Sequence, residues 1–168
     1  FDVFRIDHIL GFFRIWEIPV WTKSGLNGYF NPSLPYPANE LQDQGFDVKN
    51  FDLFMEDPRK TGHYHLKIGA KDTNSYGWLD AYRRAAFDRM YDDFFYRRNN
   101  EFWKDKAMQK LPALLDSTGM LACGEDLGMI PATVPQVMDD LRILSLEIQR
   151  MPKSVEETFA HPANYPYL

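Results

Sequence analysis

The chain opens on an alternating run, Val3-Phe4-Arg5-Ile6-Asp7, in which apolar and polar side chains change places almost step by step. Successive strand side chains point to opposite faces, so the run predicts a strand with Phe4 and Ile6 on one face and Val3, Arg5 and Asp7 on the other. Residues 12–21 are apolar-rich, with Pro19 breaking any helix. From Thr22 to Pro37, Gly25, Asn27, Gly28, Asn31, Pro32, Pro35 and Pro37 predict a long turn-rich loop, of the kind that forms functional lids or insertions. The segment from Phe46 to Met55 leaves a short strand and a helical turn both open. Residues 62–69 alternate between bounding glycines and predict a strand. Leu79, Tyr82, Ala86, Met90 and Phe94 recur at near-fourfold spacing, widened by Ala85, Phe87, Tyr91 and Phe95. They predict a helix over residues 78–98, with Arg83, Arg84, Asp88, Arg89, Asp92 and Asp93 on its solvated face and residues 101–110 continuing it or bending from it.

The second half repeats the opening theme. Pro112 suits the first turn of a short helix and Gly119 its end. In Met120 to Gly128, Leu121, Cys123 and Glu125 share one strand face, Ala122 and Gly124 the other, and a carboxylate again arrives at the carboxyl end of an apolar strand. Thr133 to Leu141 predicts a helix with Thr133 as N-cap, residues 143–148 a further strand, and residues 153–168 irregular chain. Strands alternating with helices predict an α/β fold around a parallel sheet. Carboxylates at two strand ends fit the catalytic face of a (β/α)₈ TIM barrel, which takes about 250 residues. About three barrel strands in 168 residues therefore predict a barrel sector, with residues 22–77 inserted between the first strand and the long helix, and the whole of 1–168 as a fragment of one catalytic domain. The opening at Phe1 directly on a strand reads the same way. Open strand edges and bare apolar faces predict a homo-oligomer or exchange of segments between chains.

Composition narrows the class. The chain is 45% hydrophobic and 26% charged, an ordinary globular balance, and its net charge of −5 argues against nucleic acid as a partner. A single cysteine, Cys123, excludes an internal disulfide framework and fits a reducing compartment; with no membrane-length apolar run and no signal peptide, a cytoplasmic location is expected. Aromatic residues make up 15%, enough for a core with some left to stack on sugars.

An Arg-x-Asp on one strand face reads either as a structural ion pair or as a carboxylate kept ionised by Arg5 and available as a nucleophile. With Glu125 on a neighbouring strand end, the pair meets the needs of a retaining glycosidase, one carboxylate attacking the anomeric carbon and one acid protonating the leaving oxygen. Paired acids at barrel ends also bind metals, so the residues alone leave both chemistries open. His63 and His65 share a strand face, which reads as a metal pair or as a plain insertion strand; Glu147, three residues before Arg150, reads as structural, as does Trp16.

Phe4-Arg5-Ile6-Asp7-His8, followed by Gly11, Arg14, Trp16 and Ile18-Pro19, resembles the nucleophile motif of the 4-α-glucanotransferases (amylomaltase, or disproportionating enzyme), family seventy-seven of the glycoside hydrolases. Cys123-Gly124-Glu125-Asp126-Leu127-Gly128 resembles the same family's acid/base motif, in the expected order. The run Leu144 to Pro152 and the insertion resemble the plant cytosolic and bacterial branch, which acts on branched heteroglycans and maltose, and the resemblance spans the chain. It implies Asp7 as nucleophile, Glu125 as general acid/base, Arg5 steadying Asp7 and touching the sugar, His8 and Asp126 as sugar-hydroxyl ligands, an α-1,4-glucan or maltooligosaccharide substrate, and no cofactor or metal. Two departures stand out. The family's third acid lies in a His-Asp pair, whereas His8, His63, His65 and His161 are each followed by another residue, and the upstream strands are absent. The fragment alone is therefore expected to be inactive. A plain α-glucan hydrolase and a non-catalytic glucan-binding module are the alternatives.

Overall fold

The computed structural model describes residues 1–153 and 156–165. In chain order the strands and helices are β1 (Val3–Ile6), β2 (Ile15–Glu17), β3 (Tyr29–Asn31), β4 (Tyr36–Pro37), α1 (Ala38–Asp43), β5 (Phe54–Glu56), β6 (His63–Leu66), α2 (Asn74–Gly77), α3 (Ala81–Tyr96), α4 (Asn100–Met108), α5 (Leu111–Asp116), β7 (Leu121–Gly124), α6 (Val134–Asp140) and β8 (Leu144–Ser145). They form a mixed α/β protein of two compact units, Phe1–Phe13 with Lys104–Leu168, and Arg14–Trp103. Among the described residues no helix is long and apolar enough to cross a membrane.

The first unit is built on a parallel sheet of order β1-β7-β8. Its register pairs Val3 with Leu121, Phe4 with Ala122, Arg5 with Cys123 and Ile6 with Gly124. Alternation then does what the sequence pattern demands. Ile6, Ala122 and Gly124 are buried, while Val3, Arg5 and Leu121 are exposed. Ile9, Val134, Val137, Met138 and Ile143 complete the core, with α6 packed beside β8. Pro112 and Pro135 sit in the first turns of α5 and α6, where a missing N–H costs nothing. Thr133 differs from its expected role: it has helical φ/ψ and its side chain makes no cap hydrogen bond. The last strand is also shorter than its apolar run suggests, because it pairs only through Leu144 and Ser145.

The second unit holds two antiparallel sheets, β2-β3 and β4-β6-β5, and the long helix. Asp80 caps α3 by accepting from the Arg83 amide. The helix buries Ala86, Phe87, Met90, Phe94 and Phe95, but Tyr82 and Ala85, which the spacing placed in the stripe, are exposed. The buried face closes on a ring cluster in which Phe46, Phe54 and Phe87 meet edge-on or tilted at centroid distances of 5.6–6.0 Å. Asp93, expected on a solvated face, is engaged instead, and so is Arg98. The Tyr36 hydroxyl donates to Asp93 at 2.7 Å, and Arg98 pairs with Glu40 while lying 4.0 Å from the Tyr36 ring. Arg14 is buried with its guanidinium 3.7 Å from the Phe30 ring centroid and 4.3 Å from that of Trp103, and burial lowers its pKa to about 10. The hairpin β2-β3 lay hidden in an apolar run and a turn-rich loop, because strands of three residues carry too little alternation to read.

Candidate active site

Asp7 and Glu125 each follow the last residue of a strand, and the parallel register that pairs Ile6 with Gly124 carries them to the same step of the sheet. The link between them is made by the backbone. Glu125 donates its amide to the Ile6 carbonyl at 2.9 Å, and its own carbonyl accepts from Ile9 at 3.0 Å. The His8 amide donates to Glu125 Oε2 at 2.8 Å. His8 reaches this position in the left-handed region, at φ 53° and ψ 63°, as N-cap of the short 3₁₀ turn Ile9–Phe12. Few side chains adopt that conformation cheaply, and histidine is among those enriched in it. Since the His8 nitrogen is two covalent bonds from the Asp7 Cα, Glu125 Oε2 lies within about 5 Å of that carbon. One carboxyl oxygen of Glu125, Oε2, is thus held by a backbone amide.

Arg5 NH2 donates to Asp7 Oδ1 at 2.7 Å, with the Asp7 side chain 83% exposed. The two share the strand face that the alternation assigned to them. Asp126, one residue past Glu125, is in the opposite situation: it is 4% exposed. Ser145 donates its hydroxyl to the Asp126 carboxylate at 2.9 and 3.0 Å, the Leu146 amide donates at 3.2 Å, and Lys153 Nζ donates at 2.9 Å. Lys153 also donates to Ser145 Oγ and pairs with Glu147 at 3.0 Å. Burial works against the ammonium, but Asp126 and Glu147 outweigh it and raise its pKa above the ordinary lysine value. This cluster forms the polar end of a cleft of about 390 Å³ whose walls include Ile130, Pro131, Pro135, Met138 and Ile143. Ser145 was visible in the sequence only as a position on the last strand, and nothing in the sequence pointed to Lys153.

Among the described residues no cluster of three or more His, Cys, Asp or Glu side chains could hold a metal ion. His65 is 1% exposed and its Nε2 lies 2.9 Å from Asp57 Oδ2, while Ser33 Oγ lies 3.4 Å from Nδ1 and the Tyr29 ring stacks on it at 4.8 Å. It is a core histidine. Glu147 pairs with Lys153, and Trp16 is half-buried, donating Nε1–H to the Gly25 carbonyl at 2.8 Å.

A family model described as 4-alpha-glucanotransferase, glycoside hydrolase family 77, matches residues 1–168. The chain belongs to that family. Among curated relatives, 4-alpha-glucanotransferase DPE2 of Oryza sativa subsp. japonica is 31% identical over 245 aligned residues, which cover 100% of this chain and 26% of the relative. The chain thus spans about a quarter of the relative's length. Because the alignment is longer than the 168-residue chain, the relative carries stretches that this family member lacks. No solved structure matches the chain.

Proposed function

We propose that this chain is part of the catalytic domain of a retaining 4-α-glucanotransferase, in which Asp7 attacks the anomeric carbon of an α-1,4-glucan and Glu125 serves first as acid and then as base. The observation that carries the reading is the hydrogen bond from the His8 amide to Glu125 Oε2, which ties the second carboxyl group to the backbone next to the first. A retaining pair needs carboxyl groups about 5–5.5 Å apart, a separation compatible with that tether. In the forward step the Asp7 carboxylate forms a bond to the anomeric carbon as the glycosidic C–O bond breaks. The proton on Glu125 Oε1 passes to the leaving oxygen. In the return step Glu125 takes the proton of an acceptor 4-hydroxyl, whose oxygen displaces Asp7. Arg5 holds Asp7 in its attacking orientation and contacts the sugar, with His8 beside it. Asp126 is the weaker sugar ligand, because its oxygens already accept from Ser145, Leu146 and Lys153.

The parallel sheet serves as a sector of a (β/α)₈ barrel, with residues 22–77 inserted. One observation supports this: both faces of the sheet are apolar in part, Ile6 and Ala122 on the covered face and Val3 and Leu121 on the exposed face that carries Arg5 and Asp7, as barrel strands require. The 168-residue chain alone transfers no glucan. Purified chain incubated with maltotriose is expected to yield neither glucose nor longer chains, and either product would refute that part. The roles themselves are tested in the longer polypeptide that contains this segment. Given α-glucosyl fluoride and azide, Glu125→Ala is expected to yield α-glucosyl azide and Asp7→Gly the β-anomer. The same anomer from both variants would remove the double-displacement assignment.

A further inference from the structure

We propose that the Arg14–Trp103 unit carries a second α-glucan-binding site, a groove running past Trp21 and built from residues other than the Asp7–Glu125 pair. The choice of an α-1,4-glucan as ligand rests on the function proposed above. The groove itself rests on three observations. First, Trp21 is 74% exposed although it lies in the apolar run that follows β2, and Pro19 and Val20 precede it. Second, two clefts of about 480 and 270 Å³ both take Pro19, Trp21 and Pro58 as lining, so the indole stands where they meet. Third, the larger cleft is equipped with a prearranged polar fork. Arg59 donates from NH2 to Glu17 Oε2 at 2.7 Å and from NH1 to the Tyr29 hydroxyl at 2.9 Å. Glu17 also accepts from the Tyr29 hydroxyl at 2.8 Å and, through Oε1, from Asn31 Nδ2 at 2.7 Å.

These bonds fix the fork without using it up. A guanidinium has five N–H donors in one plane, so Arg59 keeps three for a ligand, and Glu17 Oε1 keeps an acceptor site. Each cleft also holds one acid with one base: Glu17 with Arg59 in the larger, Glu56 with Lys67 in the smaller. The charges cancel within each, which selects a neutral ligand rich in hydroxyls over a phosphate or a polycation. A pyranose meets all of these terms. Its C–H face packs on an indole or on the exposed Phe51 of the second cleft, and its equatorial hydroxyls both donate and accept. Because the clefts meet at Trp21, a glucan of several units can occupy both, whereas a disaccharide fills only one.

The test is titration of the 168-residue chain with maltoheptaose, followed by calorimetry and tryptophan fluorescence. Saturable binding is expected, far stronger than for maltose. Trp21→Ala is expected to weaken it at least tenfold with an unchanged far-UV spectrum, and Arg59→Gln to weaken it as well. Asp7→Asn is expected to bind as the parent chain does. The proposal is overturned by absence of saturable binding, by Trp21→Ala binding like the parent, or by cellohexaose binding in place of maltoheptaose. It is equally overturned if Trp21 proves to seat a second copy, seen as a dimer by gel filtration that Trp21→Ala dissolves. Loss of binding in Asp7→Asn alone would move the sugar to the carboxylate pair, removing this site while leaving the proposed function intact. Trp21-dependent binding together with failure of the azide experiment would do the reverse.

Discussion

Gly124 is where the sheet and the carboxylate pair depend on the same few atoms, so Gly124→Ala is an informative perturbation. A Cβ at this position would lie 2.7 Å from Ile9 Cδ1, 3.1 Å from Met138 Cε and 3.3 Å from Ile9 Cβ. Side-chain ends can swing away, but Ile9 is fully buried and its Cβ is fixed by the backbone. Overpacking of this kind costs about 1–3 kcal/mol. Replacing Gly by Ala also restricts the unfolded chain, which offsets about 0.4–1 kcal/mol. A net destabilisation of about 1–2 kcal/mol follows. Ile9→Val removes the Cδ1 that makes the worst contact and by itself costs about 0.5–1.5 kcal/mol. Combined with Gly124→Ala it is expected to cost about 1 kcal/mol less than the sum of the two single changes, the sign of residues that share one space. Urea unfolding of the 168-residue chain at constant m-value measures all four corners of the cycle. Hydrogen exchange gives a second readout. The Ile9 and His8 amides are the ones that hold Glu125, so in Gly124→Ala their protection should fall before that of the Glu125 amide, which is bonded to Ile6. An unchanged urea midpoint, or strict additivity in the cycle, would refute the steric argument.

Other substitutions probe other links. Lys153→Met leaves the buried Asp126 carboxylate with Ser145 and Leu146 but no cation. A loss of about 2 kcal/mol is expected, below the 3–5 typical of a fully buried pair because Lys153 is one-third exposed, and Lys153→Arg should recover part of it. Since the Lys153 pKa is raised above 10.5, its stabilising contribution is intact at neutral pH and is lost only as pH rises beyond that value. His65 behaves in the opposite sense. Burial holds its imidazole below 6.5 against the pull of Asp57, so on acidification the unfolded chain binds a proton that the folded one does not. Stability should fall as pH drops below 6.5, by up to about 1.4 kcal/mol per pH unit, and His65→Gln should flatten that slope in a urea series. Gly28→Ala would put a Cβ 2.4 Å from Trp16 Nε1 and 2.6 Å from the Glu17 carbonyl oxygen. Backbone cannot step aside, so a cost of about 3 kcal/mol and a red-shifted tryptophan emission are expected.

Much of this protein could be read from one dimension. Alternation in Val3–Asp7 and Leu121–Glu125 determined the strands and which side chains share a face, because the period of two is a local property of extended backbone. The spacing of Ala86, Met90 and Phe94 determined the long helix for the same kind of reason, and the two carboxylate-bearing segments were recognisable as candidates without coordinates. Four things needed the fold. The register of β1 against β7, and the left-handed turn at His8 that brings an amide to Glu125, depend on residues 118 and 117 positions apart. The engagement of Asp126 by Lys153 depends on where a short strand and an irregular segment come to rest. Tyr82 and Ala85 lost their expected burial because helical periodicity fixes which residues line up, while the length of the covered face is set by whatever packs against it. The fork of Glu17, Tyr29, Asn31 and Arg59 joins a three-residue hairpin to a distant turn. Sequence pattern fixes direction along the backbone; only three-dimensional packing decides which distant groups meet, since those contacts are between residues that have no local reason to be neighbours.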